Sequence, residues 1–163
     1  MKKVTLIVSI IALILDQITK IIIESMINLN NSITIIKKVL YLSPCHNYGV
    51  AWSMLNNQRW IIIIISLIAL YVLFKFSKSF KNNTRNNIAF GLIIGGLAGN
   101  LIDRIILGYV RDFIDIIIIK YDYPVFNIAD TAIVIGVILL VYAIFKGEDQ
   151  DENRSNGSRR EIR

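Results

Sequence analysis

Two aspartates stand where apolar sequence makes a carboxylate costly. Asp112 sits in Val110-Arg111-Asp112-Phe113, and Asp130 closes Pro124-Val125-Phe126-Asn127-Ile128-Ala129-Asp130 before an uncharged run to Phe145. A carboxylate at the mouth of a membrane span is expensive unless it is paired or put to use. The chain has one histidine and one cysteine, too few for a zinc cluster, so these residues suggest acid–base exchange between carboxyl groups. Two carboxyls held close do not both ionise easily, and one keeps a proton. The ionised member can take a proton from water while the neutral one donates toward a carbonyl oxygen, which suffices for amide hydrolysis. A competing reading makes Asp130 a helix cap favoured by the helix dipole, and Asp112 a solvated loop residue. Spacing alone leaves Asp115 and Asp122 as rivals for either role.

Other polar groups recur at helical spacing. Asp16 and Lys20 share a face of the first apolar run and read as an ion pair that orients the helix. Asp16 falls roughly 18 Å into that span at 1.5 Å per residue. Gly91, Gly95 and Gly99 form a stripe that lets another helix backbone approach closely. Beyond it Asn100, Asp103 and Arg104 share a face, with Asp103 and Arg104 as a charge network and Asn100 as a candidate contact to substrate. Asn47-Tyr48-Gly49-Val50-Ala51-Trp52-Ser53 reads as a turn back into the membrane, with Trp52 at the interface. Cys45 has no metal-spaced companions. A Cys45–His46 nucleophile is the minor alternative to a neutral loop cysteine.

The elements that must position these groups are helices in lipid. The chain is 163 residues long and 55% hydrophobic, with a mean hydropathy of +0.57. Its apolar residues fall into four runs, Val4–Ile23, Trp60–Phe74, Ile88–Ile102 and Thr131–Phe145. With snorkelling flanks each approaches the ~20 residues needed to cross a bilayer. The expected fold class is therefore all-α integral membrane, with four spans at about 4–23, 59–76, 88–107 and 127–146. One domain over 1–146 and a disordered cytoplasmic tail over 147–163 complete the expectation. A soluble protein with buried helices is the alternative. The Lys2-Lys3 start imitates a secretory signal but lacks a cleavage site, so it reads as a retained first helix.

Lys2, Lys3, Lys75, Lys78, Lys81, Arg85, Lys146 and the tail arginines fall on one side of such a bundle. That places both termini in the cytoplasm, against a smaller set of Lys37, Lys38, Arg59, Arg111 and Lys120 on the opposite side. The pI of about 9.5 then reflects topology and anionic phospholipid rather than nucleic acid. On the other side, Ser32–Ile36 and Val39–Leu42 look like short strands broken by Lys37-Lys38 and Ser43-Pro44. Together they would form a small extracytoplasmic β element. The second outer segment, Gly108–Asn127, carries Asp112, Asp115 and Asp122.

Five segments in order resemble the lipoprotein signal peptidase family (signal peptidase II), membrane aspartic proteases of bacteria. They are Asp16-Gln17-Ile18-Thr19-Lys20, Asn47 to Ser53, Gly95-Gly96-Leu97-Ala98-Gly99-Asn100-Leu101-Ile102-Asp103-Arg104, Val110 to Phe113, and Phe126 to Asp130. The resemblance implies that Asp112 and Asp130 are the catalytic dyad and that Asp16, Asn47, Asn100, Arg104 and Asn127 line or brace the site. Lys20, Gly49 and Asp103, from the same segments, join that candidate set. It further implies an inner-membrane enzyme with its site at the outer face, acting on prolipoproteins that carry a diacylglyceryl-modified cysteine and cleaving just before it. No metal or other cofactor is implied, Cys45 should be dispensable, and a monomer is expected. Val50 and Leu97 stand where the family usually has alanine, and Trp52 where it often has phenylalanine, which bears on substrate preference.

Two other classes remain at this stage. A small cation- or proton-coupled transporter would use Asp16 and Asp130 as intramembrane sites, although no internal repeat supports one. In a noncatalytic membrane scaffold the same polar clusters would serve only as structural glue.

Overall fold

The computed structural model describes residues 2–50, 54–119 and 121–149. The readings of Trp52 as an interfacial aromatic and of 150–163 as disordered lie outside the described residues, as does Lys120. Four helices carry the apolar runs: α1 (Lys3–Met26), α2 (Arg59–Phe76), α3 (Thr84–Ile106) and α4 (Ile128–Phe145). At 24, 18, 23 and 18 residues, all are long and apolar enough to cross a membrane. The shortest spans ~27 Å at 1.5 Å per residue. Helix α3 starts ahead of its apolar run because the Asn83 side chain caps it, accepting from the Asn86 N–H at 2.8 Å.

Helix α3 is the central element, with α1 and α4 laid against it through glycines. A Cβ on Gly95 would meet the Ser9 backbone and Ala12 of α1. On Gly96 it would collide with the Ala129 carbonyl oxygen and Ile133 of α4. Gly136 returns the contact from α4, against the Ala89 carbonyl and Ile93. Close approach of this kind holds apolar helices together where lipid offers no hydrophobic drive. The outer faces of α1, α2 and α4 are mostly exposed isoleucine, leucine and valine, with aromatics such as Trp60, Tyr71 and Tyr142 on α2 and α4.

Helix α2 is tied to α3 at both ends. Arg59 donates from Nε to the Arg104 carbonyl (2.7 Å) and from Nη2 to the Ile105 carbonyl (2.6 Å), a cation on the free acceptors of a helix C-terminus. At the far end Phe76, Phe80 and Phe90 pack edge to face. Gly147 and Glu148, assigned above to the tail, are folded against the bundle. Gly147, at φ +67°, closes a left-handed cap in which its N–H reaches Ile144 and that of Glu148 reaches Ala143. That turn sends the Glu148 carboxylate to Arg85, Asn83 and Asn86 at the start of α3.

The β element is larger than the sequence suggests. Strands β1 (Ile33–Ile36), β2 (Leu40–Asn47), β3 (Val110–Ile118) and β4 (Tyr121–Asp122) form one antiparallel sheet in that order. Strand β2 runs through Ser43-Pro44, read above as a break. The ladder absorbs the proline, which has no N–H, by a register shift between Leu42 and Cys45. The segment read as an outer loop supplies β3, pairing Asp112 with Cys45 and Asp115 with Tyr41. Asp112 is therefore a buried strand residue, 3% exposed, and not a solvated loop residue.

Gly96→Ala should test the α3–α4 approach. Forcing a methyl against backbone is expected to cost about 1–3 kcal/mol, read as a lower Tm in detergent. An unchanged Tm would mean that the two helices can part without loss.

Candidate active site

Asp112 and Asp130 reach one cavity from different elements. Asp112 comes from β3, held there by its ladder to β2, and Asp130 from the first turn of α4. Asn127 starts that helix with a reciprocal cap: its Oδ1 accepts from the Asp130 N–H at 2.9 Å, and Asp130 Oδ2 accepts from the Asn127 N–H at 3.2 Å. Asp130 is thus the cap that one reading proposed, and it also lines the cavity. The two roles do not exclude each other.

Asparagine amides connect the two carboxyls. Asn127 Nδ2 donates to Asp112 Oδ1 at 2.6 Å and to Asn100 Oδ1 at 3.0 Å. Asn100 Nδ2 donates to Asp130 Oδ1 at 2.7 Å. Asn47, at the end of β2, donates to Asp112 Oδ2 at 2.8 Å. Its own oxygen accepts from the Gly49 N–H at 2.9 Å, and the Gly49 carbonyl accepts from Arg104 at 2.8 Å. Burial first, then the nearby Asp130 charge, pushes the Asp112 carboxyl up to about 7, against the pull of the Asn47 and Asn127 amides. A pair so placed favours one negative charge over two.

Below the amides lies a buried charge centre. Lys20 Nζ meets Asp16 Oδ2 at 2.7 Å, Asn100 Oδ1 at 3.0 Å and Asp103 Oδ2 at 3.2 Å. Asp16 also accepts from the Ala129 N–H at 2.9 Å, which ties α1 to the start of α4. Asp103 and Arg104 point to separate partners and are not a pair with each other. Asp103 takes Arg111 (2.7 Å) and Gln17 (3.2 Å), whereas Arg104 holds Gly49. Gln17, Arg111 and Glu24, which reaches His46 (2.8 Å) and Arg111 (3.8 Å), are site-bracing residues that the sequence reading did not select. The i, i+1 position of Gln17 beside Asp16 was the available signal for one of them.

The rival groups are placed elsewhere. Asp115 bonds Ser43 at 2.8 Å, and neither it nor Asp122 lines the cavity. Cys45 does line it, yet burial and the charges of Asp112 and Asp115 raise its thiol to about 11. A protonated thiol is a poor nucleophile. His46 is engaged by Glu24 and stacked on Tyr109 at 3.8 Å. Among the described residues no three His, Cys, Asp or Glu side chains gather as a metal site.

The cavity, about 920 Å³, has a polar end of Asn47, Asn100, Arg104, Asp112 and Asp130. Its walls run down between the helices along Ile62, Ile65, Ala69, Leu97, Ile133 and Val134. Val50 and Leu97, two of the departures noted above, are both in this lining.

The family model for Signal peptidase (SPase) II matches residues 8–146. The chain belongs to that family. A lipoprotein signal peptidase of Staphylococcus carnosus (strain TM300) is 40% identical over 142 residues, covering 86% of this chain and 89% of the relative. Two solved structures of a bacterial membrane enzyme, obtained by the in meso method at 2.3 and 1.9 Å, superpose with TM-scores of 0.80 and 0.78. Each is 36% identical and covers 87% of this chain, and the match takes in 87% and 92% of those chains. In this signal peptidase II family member, every described residue of the five matching segments that was singled out as a candidate lies in the connected network above.

The raised Asp112 carboxyl has a consequence for stability. It is neutral in the folded protein up to about 7 and ionises near 3.8 when unfolded, so between those values folding takes up a proton. Stability from this group therefore falls as pH rises through that window. Tm measured across it should fall less steeply for Asp112→Asn than for the wild type; parallel curves would contradict the raised value.

Proposed function

We propose that this chain is an aspartic endopeptidase that removes the signal peptide from diacylglyceryl-modified prolipoproteins, cleaving just before the lipidated cysteine. Asp112 and Asp130 share one proton and activate water between them. The ionised carboxylate takes a proton from the water as its oxygen attacks the scissile carbonyl. The neutral carboxyl donates to the carbonyl oxygen, and the proton returns to the leaving amine. The two titrate as a unit. No side chain other than these two exchanges a proton in the scheme. The observation that carries the reading is the juxtaposition of two aspartates, bridged by asparagine amides, with a cavity whose walls between the helices are largely aliphatic. Membership of the signal peptidase II family and the name of the S. carnosus relative support the substrate class.

The four helices would cross the cytoplasmic membrane with both termini inside and the sheet at the outer surface. Support comes from Lys2, Lys3, Lys75, Lys78, Lys81, Arg85 and Lys146, which lie at the ends of the helices away from the sheet. A substrate tethered by its acyl chains moves only in the plane of the bilayer. Its scissile bond is then held at the depth of the dyad, and confinement supplies much of the positioning. The apolar walls between α2, α3 and α4 suit acyl chains, and the polar end suits a peptide backbone. Membrane phospholipid is the surrounding solvent, and a monomer carries every group in the scheme.

Asp112→Asn and Asp130→Asn should each slow release of the signal peptide from a lipidated precursor by at least ~1,000-fold, with the protein still folded. Mass spectrometry of the released peptide reads the rate. A near-normal rate in either purified variant removes that residue from the mechanism.

A further inference from the structure

We infer that Lys20 is a positioning residue for this hydrolysis: by pinning the Asn100 amide oxygen it sets the direction of the Asn100–Asn127 relay. Both aspartates then receive a side-chain amide N–H on Oδ1. The inference rests on the function proposed above and adds a residue that touches neither substrate nor water.

The orientation follows from what each group can donate. An ammonium has three N–H donors and no acceptor. The Asn100 atom 3.0 Å from Lys20 Nζ is therefore its oxygen, and the amide nitrogen is left facing Asp130 Oδ1 at 2.7 Å. Asn127 is fixed in turn. Reversing its amide would set its oxygen against the Asn100 oxygen, where Nδ2 now donates at 3.0 Å. The same reversal would bring an NH₂ against the Asp130 N–H, which now donates to Asn127 Oδ1 at 2.9 Å. The second hydrogen of Asn127 Nδ2 goes to Asp112 Oδ1 at 2.6 Å. Each Oδ1 thus receives an oriented side-chain amide, while Asp112 Oδ2 accepts from Asn47 and Asp130 Oδ2 from the Asn127 N–H, so the amides hold both carboxyls in fixed orientation. One buried cation thus reaches both carboxyls through two neutral amides.

A plain counter-ion role does not require this arrangement. Of the charged groups around Lys20, Asp16 lies on its own helix and Asp103 on α3. Arg111 of β3 bonds Asp103, and Asp130 of α4 is reached through Asn100. Asp16 has further donors in the Ala129 N–H and Gln17, and Asp103 in Arg111 and Gln17. The Asn100 oxygen, by contrast, accepts among the described residues from the Lys20 and Asn127 side chains. Without Lys20, the neutral Asn127 amide alone holds the Asn100 oxygen away from Asp130.

The test uses the full chain in detergent, with a lipidated precursor peptide as substrate. Wild-type cleavage and its loss in Asp112→Asn check the proposed function in the same assay; if wild type does not cleave, that reading fails first. Lys20→Met combined with Asp16→Asn removes one charge of each sign, and Asp16→Asn alone is its reference. The double variant should lose roughly 10- to 100-fold in kcat against the reference with KM little changed, because misdirected groups slow the step without weakening binding. The acid limb of its kcat–pH profile should move upward, since a cation near the dyad has gone. Equal kcat with an unmoved limb, or a loss confined to Tm, would overturn the inference. If the double variant does not fold, Lys20→Arg carries the test. Guanidinium also only donates, so it should retain kcat within about tenfold, and a folded Lys20→Arg protein with a larger loss would equally overturn it.

Discussion

A full positive charge is buried among apolar helices, and the structure is arranged so that it never lacks partners. Lys20, 1% exposed, takes one carboxylate from its own helix, one from α3, and the amide of Asn100. An ammonium left without such partners at this depth would be prohibitive. Satisfying it brings α1 against α3 at the glycine stripe, where a Cβ on Gly99 would come within 2.5 Å of Asp16 Oδ2. Through Asp103 the same centre engages Arg111 and so aligns β3, which carries Asp112. Asp16, through the Ala129 N–H, sets the start of α4, which carries Asp130.

The polar and apolar halves of the cavity follow from that geometry. The asparagines and aspartates of the network gather at the end of the cavity where the sheet meets the helices, and the sheet strands pair through their own ladder. Below it the cavity walls between the helices carry small or aliphatic side chains, so the cavity continues downward as greasy space. Arg59 and the Phe76–Phe80–Phe90 cluster hold α2 at its two ends, leaving its middle as one wall.

The helices were legible because a long apolar run has few other solutions, and the Asp16–Lys20 pair because its spacing is local. Strand β3 was not. Its Ile116-Ile117-Ile118 stretch belongs to a featureless isoleucine run, and its partner β2 lies about 70 positions away in the chain, beyond any local pattern. Missing β3 left the depth of Asp112 open, since only the ladder shows that it is buried. Pro44 misled for a related reason: the register shift that accommodates it belongs to the pairing and not to the sequence around the proline. The candidate residues themselves were found largely through the family resemblance. Arg111 and Glu24, which sit one layer behind them, looked like ordinary surface charges.

The pairing of Asp16 with Lys20 on a single helix also bears on biogenesis. Because both charges lie four residues apart on α1 and meet at 2.7 Å, the nascent first segment can partition into lipid as an electrically neutral unit, before any later part of the chain has been synthesised. Asp103 is likewise followed eight residues on by its own cation, Arg111. Each half of the charge centre therefore arrives self-compensated, and docking the two adds the Lys20–Asp103 contact to pairs already made instead of rescuing stranded ions.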